Sequence, residues 1–346
     1  MSQAQTQPQP TAAAAAVRGD TYALIMRYST LGALVLLIVF NVLFTRNFVS
    51  WRVLDVNLTQ VAATVIVGVG MTLVIATGGI DLSVGSLMAI SGAIAPIIFM
   101  NKVFHIGEIH VAVGVAMIGG ILLAGAFGWF NGWLITRFRI QPIIATLVLF
   151  IAGRGIAQVM TNGDLQPFKL DTFQWVGLGR VFEPQGSALG GFRGIPDQVV
   201  IMLILVVAAA WMLKRSVFGR QILAIGGNER AARLAGVPVA QVKRWVYCIS
   251  GLCAGLAGLV VIAINSSSDA NQVGLNAELD AIAAVAVGGT LLSGGRATVV
   301  GTLIGALIIQ LVRYTMLANG IPDDVAQLAK AALIIAAVWL QSQGRN

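Results

Sequence analysis

Charge is what this sequence lacks most. Of 346 residues only 10% are charged while 57% are hydrophobic, against about 25% and about 45–50% in soluble domains. That shortage excludes an ordinary soluble enzyme or nucleic-acid-binding domain. Together with a mean hydropathy of +0.86 and apolar windows of ~20 residues, it points to an all-α, polytopic membrane protein. Cysteine is also scarce. Cys248 and Cys253 share one apolar stretch, at a spacing that makes neither a redox pair nor a metal site. The two histidines, His105 and His110, fall together in one loop. No Gly-x-x-x-x-Gly-Lys-Ser/Thr loop occurs, so ATP is not bound in that way, and no nucleophile–base pairing or metal-ligand spacing is visible. The expectation is a chain that is not an enzyme and holds no metal or cofactor.

What is abundant is apolar sequence. Windows at 24–44, 57–77, 84–100, 111–134, 141–160, 197–213, 245–264, 279–292, 298–317 and 325–341 predict about ten membrane spans. Met1–Asp20, rich in Gln, Pro and Ala, reads as a disordered tail without the features of a signal peptide. Residues 21–346 then form one transmembrane domain. The net charge of +8 comes from short loops, where it reports orientation. Between Lys214 and Arg244 lie Lys214, Arg215, Arg220, Arg230, Arg233, Lys243 and Arg244 against the single acid Glu229, so this loop is expected in the cytoplasm. Counting spans from it puts both termini inside, along with Arg18, Arg27, Arg137, Arg139, Arg296 and Arg345. The acidic segments 164–197 and Asp323-Asp324 fall outside. Arg154, Arg313 and Lys330 remain within spans near their outer ends, either snorkelling and pairing locally or lining a polar cavity.

Small residues one turn apart, Gly128-x-x-x-Gly132, Gly251-x-x-x-Gly255 and Gly301-x-x-x-Gly305, predict close helix packing. The sharpest polar feature is the break Gly78-Gly79-Ile80-Asp81-Leu82-Ser83-Val84-Gly85-Ser86 between two apolar runs. Polar groups at such depth are costly and mark functional or structural sites. Asp81 either caps the helix that follows or faces a pathway. The pattern echoes at Gly288-Gly289-x-x-Leu292-Ser293-x-Gly295, as a duplicated half or as coincidence. In the basic loop, Asn228 is a good helix N-cap, Glu229 suits a first turn and Gly236 a stop. The resulting short helix carries Ala231, Ala232 and Ala235 on a small-residue face suited to a partner's groove. A helix lying on anionic headgroups would want a larger apolar face.

At this point a family becomes recognisable. Gly70-Met71-Thr72-Leu73-Val74-Ile75, Gly79-Ile80-Asp81-Leu82-Ser83-Val84-Gly85, Gly226-Gly227-Asn228-Glu229 with Ala231-Ala232, and Glu278-Leu279-Asp280-Ala281-Ile282-Ala283 together resemble the permease subunits of bacterial ABC monosaccharide importers of the ribose type, across roughly Asn57 to Gln341. Ala76-Thr77-Gly78-Gly79-Ile80, Ala152-Gly153-Arg154-Gly155 with Ala157-Gln158, and Asp269-Ala270-Asn271 leading to Gly274-Leu275 are most similar to the galactofuranose permeases. The resemblance implies a multi-pass inner-membrane protein that imports a monosaccharide, galactofuranose first, with ribose or another pentose or hexose as the alternative. It also implies a separate cytoplasmic ATPase, a periplasmic sugar-binding protein and a second permease, a paralogue before a second copy. Coupling to the ATPase would fall to Gly226, Asn228, Glu229, Ala231, Ala232 and Gly236. Gly79, Asp81, Ser83, Gly85, Arg154, Gln158, Asn271, Glu278 and Asp280 would serve the pathway or its framework. The competing class is an ion-coupled secondary transporter, with Asp81, Glu278 and Asp280 as coupling carboxylates.

Overall fold

A computed structural model describes residues 30–100, 108–183 and 194–343. The tail at Met1–Asp20, Arg18, Arg27, His105 and Arg345 lie outside the described residues. Each of the ten apolar windows contains a helix: α1 (Thr30–Phe44), α2 (Trp51–Ala76), α3 (Val84–Phe99), α4 (Ile109–Phe138), α5 (Pro142–Thr161), α7 (Asp197–Arg215), α10 (Val239–Asn265), α11 (Ala277–Val287), α12 (Val299–Ala318) and α13 (Asp323–Gln343). Three short helices, α6 (Asp171–Leu178), α8 (Val217–Gly227) and α9 (Glu229–Leu234), lie in the connections. Two small antiparallel pairings, Gln166–Pro167 with Ser267–Ser268 and Arg180–Val181 with Ile195–Pro196, staple the loops at one end.

Six of these helices, α2, α4, α5, α7, α10 and α12, are long and apolar enough to cross a membrane among the described residues. The windows at 84–100 and 279–292 are filled differently from a simple span. α3 has 16 residues and α11 has 11, so at ~1.5 Å per residue they reach about 24 Å and about 16 Å, short of the ~30 Å hydrocarbon core. Irregular backbone adjoins both helices. Within a bilayer such backbone is tolerated only where protein buries it, and here it is buried: Asp81, Ser83, Ser268, Ala270 and Val273 are all enclosed.

The centre of the bundle is α2 and α10. From Val61 onward α2 is largely apolar and buries every residue to Ala76 except the half-buried Thr64, which is what an interior helix requires. α10 crosses α4 through the small residues expected to pack. A Cβ on Gly251 would strike the Ala124 carbonyl, and one on Gly128 would strike the Tyr247 carbonyl. Backbones this close make the helix pair by van der Waals contact, the main attraction available in lipid. Peripheral helices turn apolar side chains outward, as Val111, Val115, Ile118 and Leu122 of α4 do.

Contacts sort the connections into two ends. At one, Gly295 N–H donates to Ala76 O at 3.1 Å, and Gly226 at the end of α8 lies against both residues. At the other, Arg180 pairs with Asp55 at 2.7 Å, Arg313 with Asp323 at 2.7 Å and Lys330 with Asp280.

Candidate functional site

Three groups of polar residues hold the expected site residues, and they differ in what surrounds them. The first is the break after α2. Asp81 is 0% exposed. Its Oδ1 accepts from Ser83 N at 3.0 Å and Ser83 Oγ at 2.6 Å, and its Oδ2 accepts from Ser250 Oγ at 2.8 Å. Asn131 Nδ2 donates to Ser83 Oγ at 2.9 Å, so one carboxylate ties the break to α4 and α10. Asp81 does not cap α3 directly. It closes a turn onto Ser83, itself the residue that precedes α3, and leaves the first N–H groups of the helix alone. Gly79 permits the Tyr247 hydroxyl to approach. Gly85 lies against Gly274 O and the Glu278 carboxylate, with no room for a Cβ.

The second group lies where the 266–276 segment folds into the bundle. Arg154 Nη1 donates to Ala270 O at 2.8 Å and to Val273 O at 2.6 Å, while Gln158 Nε2 donates to Asn271 Oδ1 at 2.7 Å. The two arginine bonds satisfy backbone carbonyls of an irregular segment, so Arg154 pairs with nearby carbonyls. Glu278 is buried at the start of α11.

The third group surrounds a cavity of about 530 Å³ between α2, α10, α11, α12 and α13. Its uncharged hydrogen-bonding groups include Thr59, Gln60, Gln272, Asn276 and Gln310. Gln310 Nε2 reaches Gln60 Oε1 at 2.7 Å. The charged side chains there are paired across the cavity wall, Lys330 with Asp280 and Arg313 with Asp323. Of the nine pathway residues expected from sequence, Asp280 alone lines this cavity. The polar stretch 265–276 contributes Asn265, Gln272 and Asn276. Thr59 and Gln60 lie at the polar start of the 57–77 window and Gln310 is the one amide in the 298–317 window, so none stands out of its apolar run. The signal available was their helical register: Asn57 and Gln60 are one turn apart on α2, and Gln310 of α12 bonds both.

The basic loop forms α8 and α9. Asn228 caps α9 as expected, its Oδ1 accepting from Ala231 N at 3.0 Å. Gly236 follows at φ +83°, a left-handed turn that glycine takes without strain. Glu229 bonds Lys243 at 2.7 Å and Arg233 at 3.0 Å. Burial alone would raise its carboxyl, but Lys243 and Arg233 outweigh that and hold it below its ordinary value. One residue of the expected outer face is corrected. Ala232 is 5% exposed and turns inward, the one buried residue of a short helix that packs beside α8 and α10. The outward face is Ala231, Arg230, Ala235 and Leu234, the last 90% exposed.

Residues 53–338 match the family described as the branched-chain amino acid transport system permease component. The chain is 39% identical over 329 residues to the ribose import permease protein of Escherichia coli strain K12, covering 93% of this chain and 96% of that one. It is 39% identical over 287 residues to the galactofuranose transporter permease protein of the same strain, covering 83% and 78%. To the L-arabinose ABC transporter permease protein of Azospirillum brasilense it is 34% identical over 353 aligned positions, covering 100% and 98%. No solved structure matches significantly.

Proposed function

We propose, for a chain that belongs to the branched-chain amino acid transport system permease family and within it to the ribose-type sugar permeases, that the cavity facing Gln60 and Gln310 is the path of a neutral monosaccharide. A member of this family is the membrane permease of an ABC importer for monosaccharides, a multi-pass inner-membrane protein. An ion-coupled transporter, the other class open in the sequence, is set aside by that membership. The observation that carries the proposal is the cavity lining: amide and hydroxyl groups from α2, α10, α12, α13 and the 266–276 segment, with its charges already paired. Such a wall bonds sugar hydroxyls without holding a fixed ion. Its volume lies within the ~300–1,000 Å³ of small-molecule sites.

The finer reading extends this. All ten helical segments cross or enter the bilayer as one domain over residues 21–346, with Met1–Asp20 as a tail and both termini in the cytoplasm, supported by the basic loops and by the contact-sorted ends. ATP is hydrolysed by a separate cytoplasmic subunit, sugar arrives on a periplasmic binding protein, and a second permease, paralogous before identical, completes the core. The α9 helix docks on the ATPase through Leu234, Ala231 and Ala235, with Asn228, Glu229 and Gly236 shaping it. Gly226 would pass motion on to the ends of α2 and the 288–295 turn, which it touches. Asp280 serves the path, whereas Gly79, Asp81, Ser83, Gly85, Arg154, Gln158, Asn271 and Glu278 hold the two irregular segments in place.

Galactofuranose is the first sugar to test, from the finer motif resemblance. Ribose is the second, favoured by the fuller coverage of the ribose permease alignment. Cells lacking this chain should lose high-affinity uptake of one labelled sugar and keep the other. Loss of ribose uptake alone moves the assignment to ribose, and loss of neither removes both sugars and turns the assignment to another pentose or hexose.

A further inference from the structure

A second recess, far from the sugar cavity, has a different chemistry. It lies where the ends of α4, α9 and α10 meet, and encloses about 1350 Å³. Its wall carries six basic residues, Arg137, Arg139, Arg230, Arg233, Lys243 and Arg244, and the one acid Glu229. That acid is committed to Arg233 and Lys243. Among the described residues no carboxylate pairs with Arg137, Arg139, Arg230 or Arg244. Arg244 is fixed in place, its Nε donating to Thr136 Oγ1 at 3.0 Å.

We propose that this recess binds the headgroup of an anionic phospholipid. The charge calls for a phosphate-bearing or otherwise anionic group, and two further observations select a lipid. Trp129 and Trp245 line the recess and are 40% and 50% exposed, the placing that tryptophan takes at a membrane–water boundary. The exposed apolar stripe of α4, through Val111, Val115, Ile118 and Leu122, runs down to Trp129 at helical spacing. A headgroup in the recess would therefore lay an acyl chain along an apolar surface. An acidic patch on a cytoplasmic protein would match the arginines and leave that stripe unused. The inference depends on the membrane-spanning reading. It does not depend on the sugar or on α9 docking.

The test is lipid retention by the full chain purified in detergent and exposed to equal amounts of phosphatidylglycerol and phosphatidylcholine, read by native mass spectrometry. Phosphatidylglycerol should be kept preferentially. The double variant Arg137→Gln/Arg139→Gln should weaken its retention by roughly fivefold for each arginine removed. The Arg137→Lys/Arg139→Lys pair, which keeps the charge, should retain it and so separates lost binding from lost fold. Free glycerol phosphate should compete poorly. Equal retention of both lipids, unchanged retention by the glutamine pair, or full competition by glycerol phosphate each overturns the proposal. So does a glutamine pair that keeps phosphatidylglycerol but no longer co-purifies with its ATPase, because the recess would then serve a protein surface.

Discussion

The break at Asp81 and the cavity at Gln310 are both polar places in an apolar bundle, yet they are built on opposite plans. Around Asp81 the carboxylate is 0% exposed, and its oxygens accept from Ser83 and Ser250. Around Gln310 the polar groups are partly open and face a space large enough for a solute. A polar residue in an apolar sequence therefore signals cost, but not its purpose. A buried carboxylate with both oxygens bonded fixes backbone, and an open cluster offers bonds to something that passes.

The largest expected effect breaks the first region. Asp81→Ala leaves the Ser83 N–H and two hydroxyls without their acceptor in the interior, at a cost of about 3 kcal/mol. Thermal unfolding of the purified chain should show this as a large drop in melting temperature, with uptake lost through loss of folded protein. A melting temperature equal to wild type would remove the structural role. Gly85→Ala comes next. Its Cβ would enter the Gly274 carbonyl and the Glu278 carboxylate, an overpacking worth about 1–3 kcal/mol. The same melt measures it, and an unshifted curve would mean that the two irregular segments are not held together there.

A third variant touches neither region's packing. Leu234→Asp alters a side chain 90% exposed on α9, so the melt should stay put. If α9 docks as proposed, sugar-stimulated ATP hydrolysis by the assembled importer should fall by about tenfold or more, as for a buried interface anchor. Undiminished hydrolysis would take docking away from this face. The smallest effect concerns the anchor behind it. The Glu229 carboxyl is depressed in the folded chain by Lys243 and Arg233, so its contribution is full above the ordinary glutamate value of 4.5 and fades as pH falls through the lower folded value. Glu229→Gln should therefore cost a little stability at neutral pH, as partly exposed pairs do, and the gap to wild type should close in acid. A gap that widens in acid would contradict the sign.

Much of this was legible in the sequence where the signal is local. The apolar windows located the helices, and Asn228 and Gly236 bounded α9 because caps and left-handed turns are set by single residues. Glycine pairs one turn apart marked the α4–α10 crossing. What could not be read was anything set by distant neighbours. Whether α3 and α11 span depends on irregular backbone finding cover from Arg154, Ser250 and Tyr247, which lie far along the chain. Ala232 was read as outward because helical spacing gives a face without saying which way it points. The cavity residues Gln60 and Gln310 were invisible because one glutamine in an apolar helix carries no pattern until its partner, 250 residues away, is beside it.

The most direct test of the central claim sets one residue of each region side by side. Gln310→Leu and Asp81→Asn should be compared in both sugar uptake and thermal unfolding. The account predicts that Gln310→Leu keeps its melting temperature while the KM for uptake rises several-fold, the loss of one or two neutral hydrogen bonds at about 0.5–1.5 kcal/mol each. Asp81→Asn should keep the KM for uptake and lose at most about 1 kcal/mol of stability, since the amide oxygen still accepts from Ser83. A raised KM in Asp81→Asn beside unchanged transport in Gln310→Leu would contradict the account, and would move the sugar path from the open cavity to the buried break.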